Sequence, residues 1–320
     1  MSTLREVVLP DIWDYNRQQS DPELVEAHTP ILTWVMAGLC VLLTLAHHTS
    51  AGMPGTFWYQ IGQFGVLPAT AIWEGHYAAL FTTVFVHANI LHIGFNMLYL
   101  LAFGAILEMT LNPLLWALFF VASAVVGSGT ELALTNQTGI GASGVVYAMF
   151  GLLWSGRHEV SLWRIVATPK NMKIVLGWGL FCIAATWLGL LRIANGAHIG
   201  GFLFGLAVGW LFVAHRRRAL ASTILTGLVA ITLLSVTWMP WSGVWCEWKG
   251  GREAAQRNYA SAIEWFQRSL RLGQNPVRIW AKIAVAEQQL GNRAGVEEAL
   301  QEMIRAGGTI VRRGSNVPTP

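Results

Sequence analysis

The sequence predicts an all-α membrane protein, a polytopic helical bundle followed by a small soluble helical domain, and three observations predict it. Apolar residues make up 54% of the 320 positions and charged residues only 12%, too apolar a balance for an ordinary soluble globule of this length. The apolar residues gather into seven runs separated by short polar or glycine-rich stretches. From Cys246 onward the pattern changes to Arg, Glu and Gln interleaved with Ala, Leu and aromatics at helical spacing.

The runs are Ile31 to His47, Ile90 to Leu107, Pro113 to about Leu134, Ser143 to Ser155, Ile174 to Leu191, His198 to Ala214 and Ala219 to Met239. A span needs about twenty apolar residues to cross roughly 30 Å of hydrocarbon, with latitude for shorter helices buried in protein. The fourth run is the shortest. About thirty polar and charged residues precede the first, a layout unlike a cleavable signal peptide, so that run is expected to be retained.

The net charge of +4 does not point to nucleic acid, because the cations sit in short clusters beside apolar runs, where they orient a membrane protein. Arg157, Arg164, Lys170 and Lys173 lie between the fourth and fifth runs, and Arg216, Arg217 and Arg218 between the sixth and seventh. Those loops are expected to be cytoplasmic. Alternation then puts the N-terminal segment (1–30) inside, makes runs two, four and six descend from the outer face, and leaves the C-terminal domain outside. Cys40, Cys182 and Cys246 form no metal-ligand spacing, and no disulfide framework is expected.

Counting back from the cytoplasmic ends at 1.5 Å per residue, Ser143 lies about 21 Å above Arg157, His198 about 25 Å above His215 and His92 about 24 Å above Glu108. Three residues far apart in sequence thus share one depth, roughly 5–10 Å below the outer edge of the slab. Polar groups at membrane depth are costly unless they pair or face a wet cavity, so such a layer marks a candidate site. Any one of them alone also fits an interhelical hydrogen bond.

In "TGIGASGVVYAMFG" (138–151), Ser143 opens a helix, where its backbone N–H is unpaired and the dipole favours developing negative charge. Gly141 and Gly144 allow a tight turn and close approach of a carbonyl. His198 offers the general base that a serine hydroxyl requires. Tyr147 shares the face of Ser143, either packing on the imidazole or serving as a core aromatic. His92 and Asn96 in "VHANILHIGFNM" lie one turn apart and both can donate to an oxyanion, although Asn96 also fits an interhelical bond. His87 reads as a loop or interface residue. Gly201, Gly205 and Gly209 recur every four positions, facing Gly144, Ala148 and Gly151 of the fourth run, so these two helices are expected to touch.

These residues together resemble the rhomboid family of intramembrane serine proteases: GASG at 141–144 with Tyr147, AHIGG at 197–201 continuing to Gly205, HIGFNM at 92–97 with His92 and Asn96, and FGAILE ending at Glu108. The resemblance covers about residues 31–214. It implies a six-helix catalytic core, to which the run at 219–239 adds a seventh transmembrane helix. It also implies a Ser143–His198 dyad, an oxyanion site including His92, Asn96 and Gly141, and hydrolysis of membrane-anchored protein substrates without a cofactor. In the loop before the second helix the family usually carries Trp-Arg, whereas here Glu74 follows Trp73. A bacterial inner membrane is the expected location.

The C-terminal stretch 246–306 resembles tetratricopeptide repeats in Trp280, Leu290-Gly291 and Asn275-Pro276, with Tyr259, Ala262, Ile263, Phe266 and Leu270 on one helix face. It reads either as a module for a protein or peptide partner or as an inert helical appendage, and the tail at 307–320 reads as flexible. Competing classes for the membrane part are a haem or quinone protein using His92 and His198, a proton-path transporter, and an inactive rhomboid-like binding or quality-control protein. The absence of HExxH disfavours a zinc protease.

Overall fold

The computed structural model describes residues 29–309; the expectations for an N-terminal segment before residue 29 and for a tail after residue 309 lie outside the described residues. Among those residues there are fourteen α-helices and no strand. They fall into two compact units, Met1–Trp238 and Met239–Pro320.

The first unit contains α1 (Ile31–Thr49), the short helices α2 (Phe57–Gln63), α3 (Ala69–Trp73) and α4 (Ala79–Thr82), then α5 (Ile90–Thr110), α6 (Pro113–Thr135), α7 (Ser143–Gly156), α8 (Pro169–Trp187), α9 (Asn195–Val208) and α10 (Arg218–Thr237). Five are long and apolar enough to cross a membrane: α1, α5, α6, α9 with its continuation to Val213, and α10. The protein is thus an integral, multi-pass membrane protein. Helix α7 has 14 residues and reaches only about 21 Å. It nevertheless forms the centre of the unit, packed against α5, α6 and α9, with Val145, Ala148, Met149, Phe150 and Leu153 wholly buried. The irregular backbone leading into it is part-buried, with Thr138 and Ala142 enclosed by protein, the condition under which non-helical chain is tolerated at membrane depth.

Helix α5 runs three residues past its apolar run, to Thr110, and two helices begin well before the runs that predicted them. Helix α8 begins at Pro169, with Thr168 accepting from Asn171 N–H, and ends at Trp187, so Leu188 to Leu191 are not helical. Proline preset at the first turn with a threonine cap starts the helix five residues early. Gly189 at φ 70° ends it, since a left-handed glycine closes a helix. Helix α9 begins at Asn195 rather than His198 and relaxes into a π turn over Gly209–Val213, where a Cβ on Gly209 would lie 1.8 Å from Ser155 Oγ.

The segment from Trp58 to Leu80 folds into short helices. Trp73 is buried and its indole N–H donates to Ser235 O of α10 at 3.0 Å, whereas Glu74 is exposed at the end of α3. The loop thus braces the seventh long helix through the tryptophan, and the glutamate takes no share in it.

Glu108, near the end of α5, closes the opposite side. Its carboxylate accepts from Leu32 N–H (2.8 Å), Thr33 N–H (2.7 Å) and Thr33 Oγ1 (2.8 Å), capping α1, whose own preceding residue, Pro30, supplies no side-chain cap. Glu108→Ala leaves these part-buried donors unpaired and is expected to lower stability by about 1–3 kcal/mol. Reversible unfolding of the purified protein in detergent measures this, and an unchanged midpoint would contradict the capping role.

The second unit is four helices, α11 (Gly243–Ala255), α12 (Tyr259–Arg271), α13 (Pro276–Gln289) and α14 (Arg293–Arg305), each packed on its neighbour in sequence. Ser242, Asn275 and Asn292 cap α11, α13 and α14 by accepting from the N–H three residues on. Ala262 and Phe266 pack with Ile279, Ile283, Ala284 and Ala299 as its core, flanked by Ile263, Leu270 and Trp280. Glu247 of α11 binds Arg278 and Lys282 of α13 at 2.6 and 2.8 Å.

Candidate active site

The site is built where the α6–α7 loop descends into the bundle. Gly141 holds φ 104°, a left-handed conformation, and a Cβ there would lie 2.5 Å from His92 Cε1. Only glycine serves both demands. The loop is pinned by the segment before α5: Gly141 N–H donates to Thr83 O (3.2 Å), Thr83 Oγ1 to Gly139 O, and Ala142 N–H to His87 Nε2 (3.2 Å).

That last bond assigns the tautomer of His87. Nε2 accepts, so the proton is on Nδ1, which faces Thr44 Oγ1 at 3.3 Å. Thr44 also accepts from His87 N–H and donates to Phe85 O. His87, wholly buried, is thus a strut running from α1 to the residue just before Ser143. Its place in a loop was readable from sequence, but the strut was not.

Ser143 is the first residue of α7 and His198 lies in the first turn of α9; Ser143 Oγ and His198 Nε2 are 2.8 Å apart. Serine donating to Nε2 leaves the imidazole proton on Nδ1, which is buried with no hydrogen-bond partner among the described residues. No third side chain thus hydrogen-bonds the imidazole among the described residues. In place of an orienting carboxylate, the Tyr147 ring stacks on the imidazole at 4.6 Å and 12°. Tyr147 is itself held by donation from its hydroxyl to Val175 O of α8 (3.1 Å). His198 is 6% exposed, within a low-dielectric surrounding that strengthens this contact.

The helix contact that brings Ser143 and His198 together is backbone to backbone. A Cβ on Gly201 would lie 2.1 Å from Gly144 O, one on Gly205 1.8 Å from Ala148 O, and one on Gly151 2.4 Å from Phe202 O. The small-residue face predicted for the two helices is the face they share.

His92 sits over Gly141, and its Nδ1 accepts from Ala88 N–H (3.4 Å), leaving the proton on Nε2, beside Gly141. Asn96, 5% exposed, donates from Nδ2 to His92 O (2.8 Å). His92 Nε2 thus lies beside Gly141, two residues ahead of Ser143, whereas the Asn96 amide is engaged on the backbone of its own helix. An apolar cleft of about 290 Å³ runs along α8 and reaches His198, lined by Tyr147, Val175, Gly179, His198, Ile199 and Phe202 among others.

Glu131 belongs to none of the motifs that mark the site in sequence. This carboxylate in the "GTELALT" stretch of α6 is 4% exposed and accepts from the N–H groups just ahead of His198. The available signal was an ionisable side chain inside an apolar run.

Fold and site together define a polytopic α-helical membrane protein with a serine–histidine pair inside its bundle. Residues 74–215 match the family model of the rhomboid domain. The chain is 28% identical over 192 residues to proteins named Rhomboid protease GlpG from Salmonella choleraesuis (strain SC-B67) and Salmonella newport (strain SL254), a match covering 58% of this chain and 65% of each relative. The match thus spans just under two thirds of the relatives' length. Both comparisons support the rhomboid family for this part of the chain.

Proposed function

We propose that this chain is an intramembrane serine protease that hydrolyses peptide bonds in or near the transmembrane segments of membrane-anchored proteins. The observation that carries the reading is the 2.8 Å contact of Ser143 Oγ with His198 Nε2 at a helix N-terminus. The comparisons support the same class at the level of the family.

Ser143 Oγ attacks the scissile carbonyl as its proton passes to His198 Nε2. The oxyanion is received by the Ser143 N–H and His92 Nε2–H, with Asn96 behind them. His198 then protonates the leaving amine, and water, deprotonated by the same nitrogen, releases the acyl group. Gly141 keeps the approach to the carbonyl free of a side chain, and the apolar cleft along α8 suits an entering hydrophobic segment. No step requires a metal or an organic cofactor.

Purified wild-type protein is expected to be labelled by a fluorophosphonate and to cut a single-pass transmembrane reporter, and Ser143→Ala to lose both. Undiminished cleavage by Ser143→Ala would overturn the assignment. Wild-type protein that neither labels nor cuts would leave the inactive, membrane-protein-binding alternative.

The reading extends to topology: N-terminus cytoplasmic, seven helices across a bacterial inner membrane, and the C-terminal helices outside, where they take a protein or peptide partner. Its support is the cation clusters at Arg157, Arg164, Lys170, Lys173 and Arg216 to Arg218. Protease added to intact spheroplasts is expected to remove the C-terminal helices, and their protection would reverse the orientation.

A further inference from the structure

We infer that Glu131 is the positioning residue for the general base, acting as a helix cap supplied to α9 by α6; this rests on the protease reading above. Helix α9 opens without a cap of its own, since Ala194 precedes it and makes no side-chain bond. Its first turn would therefore leave the N–H groups of its second and third residues unpaired inside the bundle. Glu131 Oε2 accepts from both, Gly196 N–H at 2.8 Å and Ala197 N–H at 3.3 Å. These are the two donors that an N-cap side chain ordinarily satisfies. The next residue is His198.

The carboxylate is itself held. Thr135 Oγ1, one turn on along α6, donates to Glu131 Oε1 at 2.8 Å. A Cβ on Gly196 would lie 2.8 Å from Glu131 Oε2 and 3.0 Å from Glu131 Cα, so the α9 backbone rests directly on α6 at this point. One carboxylate thus sets where α9 starts and hence the height of the imidazole relative to Ser143. The imidazole has no hydrogen bond on Nδ1 to do this locally. Glu131 works through backbone and touches no reacting atom.

A positioning role makes a specific ordering. Glu131→Gln keeps an acceptor oxygen at the same reach without the charge, whereas Glu131→Asp keeps the charge but withdraws the oxygens by one methylene. Loss of position by about 1 Å lowers turnover by up to about 10²-fold without weakening substrate binding. On a transmembrane reporter in proteoliposomes, kcat is expected to fall in the order wild type, Gln, then Asp and Ala. We expect Gln within about fivefold of wild type and Asp about tenfold or more below it, with KM within about twofold throughout. The fluorophosphonate labelling rate should follow kcat.

Wild-type kcat in all three variants, Asp equal to or better than Gln, or KM rising in step with the loss of kcat would overturn the inference. The Gln–Asp comparison decides it even where Glu131→Ala does not fold. Ser143→Ala in the same assay separates the two levels: activity surviving in that variant removes the protease reading itself. A dead Ser143→Ala beside wild-type kcat in the Glu131 series removes only the cap.

Discussion

His198→Ala is expected to reduce cleavage of a transmembrane reporter by about 10²–10⁴-fold, the usual contribution of a positioned acid–base group, while leaving the fold in place. Ser143 Oγ has one nitrogen at hydrogen-bond distance, His198 Nε2 at 2.8 Å. A serine hydroxyl at its ordinary pKa is a weak nucleophile until a base takes its proton. His198 touches α7 through the Tyr147 stack and the serine, and its Nδ1 makes no bond, so truncating it breaks no other hydrogen bond of the ring. Fluorophosphonate labelling of His198→Ala should fall in parallel, although Ser143 is intact. Labelling at the wild-type rate would show that the serine is activated by something else.

The meeting of these two residues was legible because it needs only one-dimensional information. Ser143 and His198 fall at similar distances from the cation-flanked ends of their helices, and both helices carry small residues at four-residue spacing. Tyr147 follows from its offset of one helical turn. What was not legible depends on partners that no periodicity announces. His87 holds Ala142 N–H from 55 positions away, and Glu131 reaches Gly196 from 65. In each case the side chain satisfies backbone N–H groups of irregular chain or a helix start, and those donors carry no residue-specific mark in the sequence. The ends of α8 were misplaced for a related reason: apolar residues continue through Leu191, but Gly189 and the Thr168-Pro169 pair outweigh hydropathy in deciding where a helix stops and starts.

Two carboxylates of the membrane unit, Glu108 and Glu131, do parallel work. Glu108 caps α1 from α5, and Glu131 caps α9 from α6. In each pair the capped helix lacks an N-cap side chain of its own. A helix starting inside a bundle has no water to satisfy its first N–H groups, so an acceptor from a neighbour both meets that need and fixes the relative height of the two helices.

Gly205→Val is expected to produce the largest loss of all, affecting fold and activity together. A Cβ at position 205 would lie 1.8 Å from Ala148 O, where real Cβ contacts essentially never fall below 3.0 Å. The obstacle is backbone in the middle of α7, so no rotamer change relieves it, and α7 and α9 must separate by more than about 1 Å. Overpacking of a tight contact costs at least about 1–3 kcal/mol, and the same separation carries His198 away from Ser143, where about 1 Å costs up to 10²-fold in rate. Gly177→Ala on α8 is the control, because a Cβ there meets nothing within 4 Å. Thermal unfolding in detergent and reporter cleavage, measured on both variants, should show Gly177→Ala near wild type on both axes and Gly205→Val low on both. A folded, active Gly205→Val would mean that the α7–α9 approach is not what holds serine and imidazole within reach.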